Sequence, residues 1–239
     1  MIAALLTIGN ELVSGDVPNT NASWLAQRLE SLGVRVVLAA AVPDEEGLIV
    51  EFVRREAPRV DHLIVTGGLG GTPDDITREA LAAAFAVPQE NVPELEADLR
   101  ARFTRNPDYA ARWALLPQGS RPLENPRGGA PGFAVANVWV LPGLPSEMEA
   151  MFDRYAEAFR AQAPIASWRR VVDAGESDIA HVLVEATERW PTVLVGSYPR
   201  FLPGRREVEV VLKSPDAALL AEAVSWVEPT LAEAVGTLG

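Results

Sequence analysis

The sequence predicts an α/β fold built on a parallel sheet, followed by a second, smaller α+β domain. Three observations predict it. The first 86 residues alternate short apolar runs with amphipathic stretches in the order β-α-β-α-β-α, and that alternation implies a parallel sheet joined by right-handed crossovers. The run Ile2 to Ile8 is continuously apolar rather than alternating, apart from Thr7, as expected of a central strand buried on both faces. Near Pro164 the pattern changes to β-α-β-β-α. The change places a boundary at 164–167, with residues 1–165 forming the first domain and 166–239 the second.

Taken in order, the first strand stops at Gly9, and Gly9-Asn10-Glu11 opens a loop. Loops at the carboxyl ends of parallel strands are where open α/β sheets place their sites, so Asn10 and Glu11 stand in the expected position. Ser14-Gly15-Asp16 and Asn19-Thr20-Asn21 extend the loop until Trp24, Leu25, Leu29 and Leu32 mark a helical face ended by Gly33. A span of this length suits function, although Asn and Ser also simply turn the chain. Val34 to Val42 is the second strand, and Pro43-Asp44 starts a helix with apolar Leu48, Ile49, Phe52 and Val53 that stops before Pro58. The third strand, from Val60, runs into a loop of four glycines.

Leu95, Leu99 and Phe103 repeat every four residues from Pro93 and predict a helix outside the sheet. The chain then becomes irregular, with Trp113 to Pro117 as a short strand. Phe133 to Val135 and Val138 to Leu141, around Ala136-Asn137, predict a hairpin. It leads into Pro142-Gly143 and a helix beginning near Ser146. Glu147 in that first turn is either an outer ligand to a metal or ribose, or only a favourable charge at a helix start. In the second domain, strands at Trp168–Val172, Thr192–Tyr198 and Glu207–Lys213 accompany helices at Glu176–Glu188 and Asp216–Val235. Val208, Val210 and Leu212 alternate with Glu207, Glu209 and Lys213, which predicts a strand with one wet face.

The stretch Thr66-Gly67-Gly68-Leu69-Gly70-Gly71-Thr72-Pro73-Asp74-Asp75-Ile76-Thr77-Arg78 has the layout of an anion site: strand, tight loop, helix start. Thr72 is a good N-cap, Pro73 suits the first helical position, and Asp75 can close a capping box. Free N–H groups at such a helix end favour a phosphate-sized anion. Neither a P-loop lysine nor the third glycine of a dinucleotide fingerprint is present. Asp74 and Asp75 would repel a bare phosphate unless a divalent cation of the magnesium or manganese type bridges them. The alternative is that both aspartates only cap the helix.

Composition narrows the classes further. The chain has 239 residues, no cysteine and a net charge of −12. The missing thiols exclude disulfides, thiol catalysis and thiolate metal sites. The acidic surface, with no basic run longer than a pair of arginines, excludes a nucleic-acid partner. No apolar stretch reaches the ~20 residues of a membrane span, and no basic leader precedes the first strand, so the expectation is a cytoplasmic protein with no membrane partner. Lys213 is the only lysine; arginines must supply positive charge at any earlier site. His62 and His181 read as structural, because neither has a Ser or Cys motif to serve.

The glycine loop with Thr72, Asp74-Asp75 and Thr77-Arg78, preceded by Gly9-Asn10-Glu11, Ser14-Gly15 and Asn19-Thr20-Asn21, resembles the competence/damage-inducible protein CinA family. Asn125-Pro126, Gly128, Ala130-Pro131-Gly132 and Leu141-Pro142-Gly143-Leu144-Pro145-Ser146-Glu147-Met148 extend the likeness over about the first 155 residues. The resemblance implies a three-layer α/β/α sandwich of the molybdopterin-binding type with a small KH-like α+β domain behind it. It further implies a nucleotide pyrophosphatase that splits ADP-ribose to AMP and ribose 5-phosphate with a divalent metal: magnesium, manganese or cobalt.

On that reading Asp74, Asp75 and Glu11 are catalytic. Asp74, Asp75 and Glu147 hold the metal, with Glu11 or Glu147 as a further ligand or a base. The nucleotide is bound by Gly9, Asn10, Ser14, Asn21, Thr66, Gly67, Gly68, Leu69, Gly70, Thr72, Arg78, Pro142, Gly143 and Glu147. Gly71 and Gly129 depart from the proline and threonine usual in the family. No deamidase domain is expected, since the sequence ends at Gly239, and the resemblance together with the Trp-bearing tail implies a homodimer. The competing readings are a molybdopterin-binding or adenylating protein of molybdenum-cofactor synthesis and a non-catalytic interaction module.

Overall fold

A computed structural model describes residues 1–202 and 205–236. The chain divides into two compact units, Met1–Ala161 and Gln162–Gly239. The first contains β1 (Ile2–Ile8), α1 (Asn10–Ser14), α2 (Thr20–Ser31), β2 (Arg35–Val42), α3 (Glu46–Glu56), β3 (His62–Thr66) and α4 (Thr77–Phe85). It continues with β4 (Gln89–Asn91), α5 (Pro93–Arg102), α6 (Pro107–Ala111), β5 (Leu115–Pro117), β6 (Arg121–Leu123), β7 (Gly132–Val135), β8 (Val138–Leu141) and α7 (Pro145–Arg154). A six-stranded sheet has the order β2-β1-β3-β8-β7-β6. Its first four strands are parallel, and the β7–β8 and β6–β7 pairs are antiparallel.

Pleat alternation splits the strand side chains between two cores. Ala4, Leu6, Ile8, Leu63, Val65, Val138 and Val140 face Ile49, Phe52 and Val53 of α3 and Ala80 and Leu81 of α4. Ala3, Leu5, Ile64, Trp139 and Leu141 face Leu25 and Leu29 of α2 and Met148, Met151 and Phe152 of α7. The result is three layers, α/β/α. Each fully buried Leu, Ile or Phe in these layers contributes about 1.5–3 kcal/mol. Continuous apolar strands were the sequence signature of this arrangement, because both faces must be dry.

Three local expectations are corrected. Asn10 and Glu11 belong to the short helix α1 rather than a loop, because Asp44 Oδ2 accepts the Asn10 N–H at 2.9 Å and so satisfies a helix-start donor. Trp113 lies in a 3-10 turn, and only Leu115–Pro117 forms the short strand. The helix after the glycine loop starts at Thr77, not Thr72. Residues 72–75 make a single turn in which Asp75 N donates to Thr72 O at 3.0 Å, and the chain then breaks before α4. The β7–β8 hairpin follows the prediction, with Ala136 taking a positive φ of 50° in its two-residue turn.

The second unit contains β9 (Ala166–Val172), α8 (Glu176–Arg189), β10 (Leu194–Leu202), β11 (Arg205–Ser214) and α9 (Ala217–Gly236). Its antiparallel sheet has the order β10-β11-β9. Val208, Val210 and Leu212 pack with Ile179, Val182, Ala223 and Val227 of the two helices. The opposite face of β11 is not uniformly wet, since Val211 is buried there. Val211 pairs across the sheet with Gly196, over which the Tyr198 ring lies. An aromatic ring can thus stand in for the side chain that a strand glycine lacks.

Candidate functional site

A cleft of about 420 Å³ opens at the carboxyl ends of β1, β2, β3 and β8. The chain passes from β2 across β1 to β3, and the connecting helices α2 and α3 lie on opposite faces. The crevice therefore sits where strand order reverses, the usual binding position of an open α/β sheet. Strand ends are tied to each other around it. Gly9 N donates to Val42 O at 3.1 Å, Gly67 N donates to Leu141 O at 3.2 Å, and Asn21 Nδ2 donates to Gly143 O at 2.8 Å.

The glycine loop is held by α4 instead of presenting the end of α4 to the cleft. Thr77 N donates to Gly68 O at 3.2 Å, and Thr77 Oγ1 donates to Gly67 O at 2.8 Å. Gly67 and Gly68 take φ values of 103° and 64°, which favour glycine. The longer helices that begin at the cleft are α2, through Thr20 and Asn21, and α7, through Leu144 and Pro145. Their amino-terminal dipoles supply the positive field that was expected from α4. Asn19 fixes the start of α2: Oδ1 accepts from Ala22 N at 3.1 Å, and Nδ2 donates to Thr7 Oγ1 at 2.7 Å.

Four carboxylates line this space: Glu11, Asp44, Asp74 and Asp75. Burial pushes the Asp44 carboxyl above its ordinary range, the Asn10 N–H opposes the shift, and the charges of Asp74, Glu11 and Asp75 add to it. Asp74 moves the other way, lowered first by the nearby Thr72 hydroxyl and then by its own backbone N–H. Asp75 is bound into the loop, with Oδ1 accepting from Gly70 N and Oδ2 from Thr72 N, both at 2.8 Å, and Oδ2 also accepting from Thr72 Oγ1. No Lys, Arg or His lines the cleft among the described residues.

Of the expected site residues, the cleft brings together Gly9, Glu11, Asn21, Thr66, Gly67, Gly68, Asp74, Asp75 and Gly143. Asn21 is 8% exposed, and its Oδ1 has no protein partner. The remaining expected residues lie elsewhere. Asn10 exchanges hydrogen bonds with Asp44, and Ser14 donates to Asp16 at 2.6 Å. Leu69 and Pro142 are buried, while Gly70 and Thr72 hold Asp75. Arg78 points inward, donating to Leu69 O and Gly70 O at 2.8 Å each, so it supplies no charge to the cleft.

Glu147 does not line the cleft; its Oε2 accepts from Asn125 Nδ2 at 2.8 Å, and its carboxylate lies against Gly129. The set Asp74, Asp75 and Glu147 is therefore not assembled. Among the described residues no three His, Asp or Glu side chains converge to hold a metal. Asp44 is the cleft carboxylate that sequence reasoning missed. Its signal was position: it stands two residues beyond β2, at the same edge of the sheet as Glu11 and Asp74.

A family model described as a probable molybdopterin binding domain matches residues 4–161, and one described as the FAD synthase middle domain matches residues 164–236. A protein of Pyrobaculum calidifontis is 38% identical, covering 99% of this chain and 91% of that protein. A CinA-like protein of Frankia casuarinae is 34% identical over 99% of this chain, which spans 59% of that relative's length. Among solved structures, the CinA protein of Thermoplasma acidophilum superposes with a TM-score of 0.63 at 31% identity, covering 66% of this chain and 97% of that one. The motifs that carry the resemblance, the three-layer fold and these matches agree: the chain belongs to the CinA-like family and carries its probable molybdopterin binding domain.

Proposed function

We propose that the cleft binds a phosphorylated small molecule of the molybdopterin or nucleotide class together with a divalent cation. The observation that carries this reading is the pairing of an anion-binding frame with four carboxylates and no cationic side chain. Gly68 and the starts of α2 and α7 favour phosphate oxygens, whereas Glu11, Asp44, Asp74 and Asp75 repel them. A cation between the two removes the conflict. Magnesium is commonly held by one or two carboxylates, substrate phosphates and water, so a complete protein cage is not required. Asp74 and Glu11 would hold it, with substrate phosphates and water completing its shell, and once bound it would neutralise charge on the phosphate oxygens. The family description favours a pterin-type ligand.

Hydrolysis of a pyrophosphate, with ADP-ribose giving AMP and ribose 5-phosphate, is a second reading favoured by Asp44. A carboxylate whose pKa is raised is a better general base at neutral pH than an ordinary one. In this role it takes a proton from water as the water oxygen bonds to phosphorus and the bridging P–O bond breaks. The test is calorimetric titration of the protein with ADP and with ADP-ribose, with and without magnesium, alongside chromatography for AMP. Binding that needs the cation and weakens by at least about tenfold (1.4 kcal/mol) in Asp74→Asn supports the site. Affinity indifferent to the cation and to Asp74→Asn sinks it. AMP release decides between binding and hydrolysis.

A further inference from the structure

The glycine loop is gripped from behind by a part of the fold that no cleft residue belongs to. Helices α5 and α6 and the 3-10 turn after them enclose a separate small core of Leu99, Ala110, Trp113 and Ala114. Two aromatic side chains reach from it to the loop. Trp113 Nε1 donates to Gly70 O at 3.0 Å, and the Tyr109 ring lies where a side chain on Gly71 would have to go. The rings support each other edge to face, with Tyr109 and Phe103 at 5.6 Å and 5.1 Å from Trp113.

Gly70 is the node of the loop. Its carbonyl accepts from Trp113 Nε1 and from Arg78, and its N–H donates to Asp75 Oδ1. Asp75 in turn lines the cleft. The orientation of one cleft carboxylate is thus transmitted through Gly70 from an aromatic cluster outside the site. Gly71 has no positive φ, and the atoms nearest to where an alanine methyl would stand all belong to Tyr109.

We propose that Trp113 and Tyr109 are positioning residues for the cleft, setting its affinity for a cation-bound phosphate ligand by fixing Gly70 and Gly71 and, through them, Asp75. The inference rests on the proposed reading of the cleft and adds to it the residues that set its geometry. It differs from a merely structural role because side chains that only fill a core change stability, not affinity measured well below the melting temperature.

The probe is ADP with magnesium, titrated by calorimetry into the full chain. Trp113→Phe keeps a ring in the cluster and removes the N–H; the expected Kd rises about tenfold, the effect of one hydrogen bond at a loop that must not move. In an Asp75→Asn background the same change should add little, because both act through Gly70. Gly71→Ala and Tyr109→Ala should each weaken binding, while Tyr109→Phe, which keeps the ring against Gly71, should bind close to the wild type, a distinction that a general folding defect would not give. The proposal is overturned if the wild-type chain binds while Trp113→Phe and Gly71→Ala bind equally well, or if Tyr109→Ala binds as tightly as the wild type. Absence of binding by the wild-type chain to both ADP and a phosphorylated pterin, each with magnesium, would instead overturn the reading of the cleft, and the proposal with it.

Discussion

Asp44, Asp74 and Asp75 share one cleft and differ in what holds them, and the difference assigns their roles. Asp75 has both oxygens occupied by loop donors, so it serves loop geometry first. Asp74 is exposed and lowered, which suits the cation ligand proposed above. Asp44 is crowded by the other carboxylates, the cost that a bound cation would relieve. His62 is a different case at the opposite end of β3. Both ring nitrogens are unpaired, the ring lies edge-on to Phe159 at 5.2 Å, and burial lowers its pKa. The native protein therefore resists a proton that the unfolded chain accepts near the ordinary value of about 6.5. As pH falls below that value the unfolded state binds more protons and stability drops; above it His62 contributes no pH dependence. Urea midpoints at about pH 7.5 and pH 5 should show this loss in the wild-type chain and a smaller one in His62→Phe, which keeps the ring contact and removes the titration. Equal losses in both would place the acid sensitivity elsewhere.

At the scale of elements, the loop between β3 and α4 departs from its sequence reading in an instructive way. Thr72, Pro73 and Asp75 carry a capping-box signature, and the Asp75 carboxylate does reach back to Thr72 N. The helix nevertheless waits until Thr77, because Thr77 N and Oγ1 both bond to glycine carbonyls of the loop and fix the helix start there. Tertiary bonds outweighed a local signal that only described one turn. Arg78 and Glu147 were read as site residues for a related reason: a motif gives spacing, while the direction of a side chain depends on partners such as Gly70 O and Asn125 that lie elsewhere in the chain. The strand-to-glycine transition itself was legible, since Gly67 is required by contact. A Cβ there would strike Ile8 O, at a φ of 103° that already disfavours side chains. Gly67→Ala should destabilise the first unit by about 2–4 kcal/mol, combining left-handed strain with a backbone clash. A thermal melt that moves by less than about 2 °C would contradict that assignment.

At the scale of the whole molecule, periodicity carried the architecture furthest. The β-α-β order and the dry strands gave the parallel part of the sheet, and alternation within each strand explains why two cores form on its two faces. The region from Gln89 to Leu123 was least legible. Its strands β4, β5 and β6 have three residues each, too few to show a period, and α6 has five. Among the described residues no helix is long and apolar enough to cross a membrane. The two units also have separate chemistry. Among the described residues, those lining the cleft lie between Ile8 and Pro145, and the second unit's core draws on residues from Ala166 to Val235. Each unit thus has a core of its own, which is the condition for independent folding. Residues 1–161 expressed alone should keep α/β circular dichroism, melt in one cooperative step, and bind ADP with magnesium within about threefold of the full chain, a difference of less than 1 kcal/mol. A fragment that folds cooperatively but binds tenfold or more weakly would mean that residues beyond Ala161 complete the site. One that fails to fold would mean that the first unit's own two cores are insufficient, and the separation of fold from function along this chain would have to be redrawn.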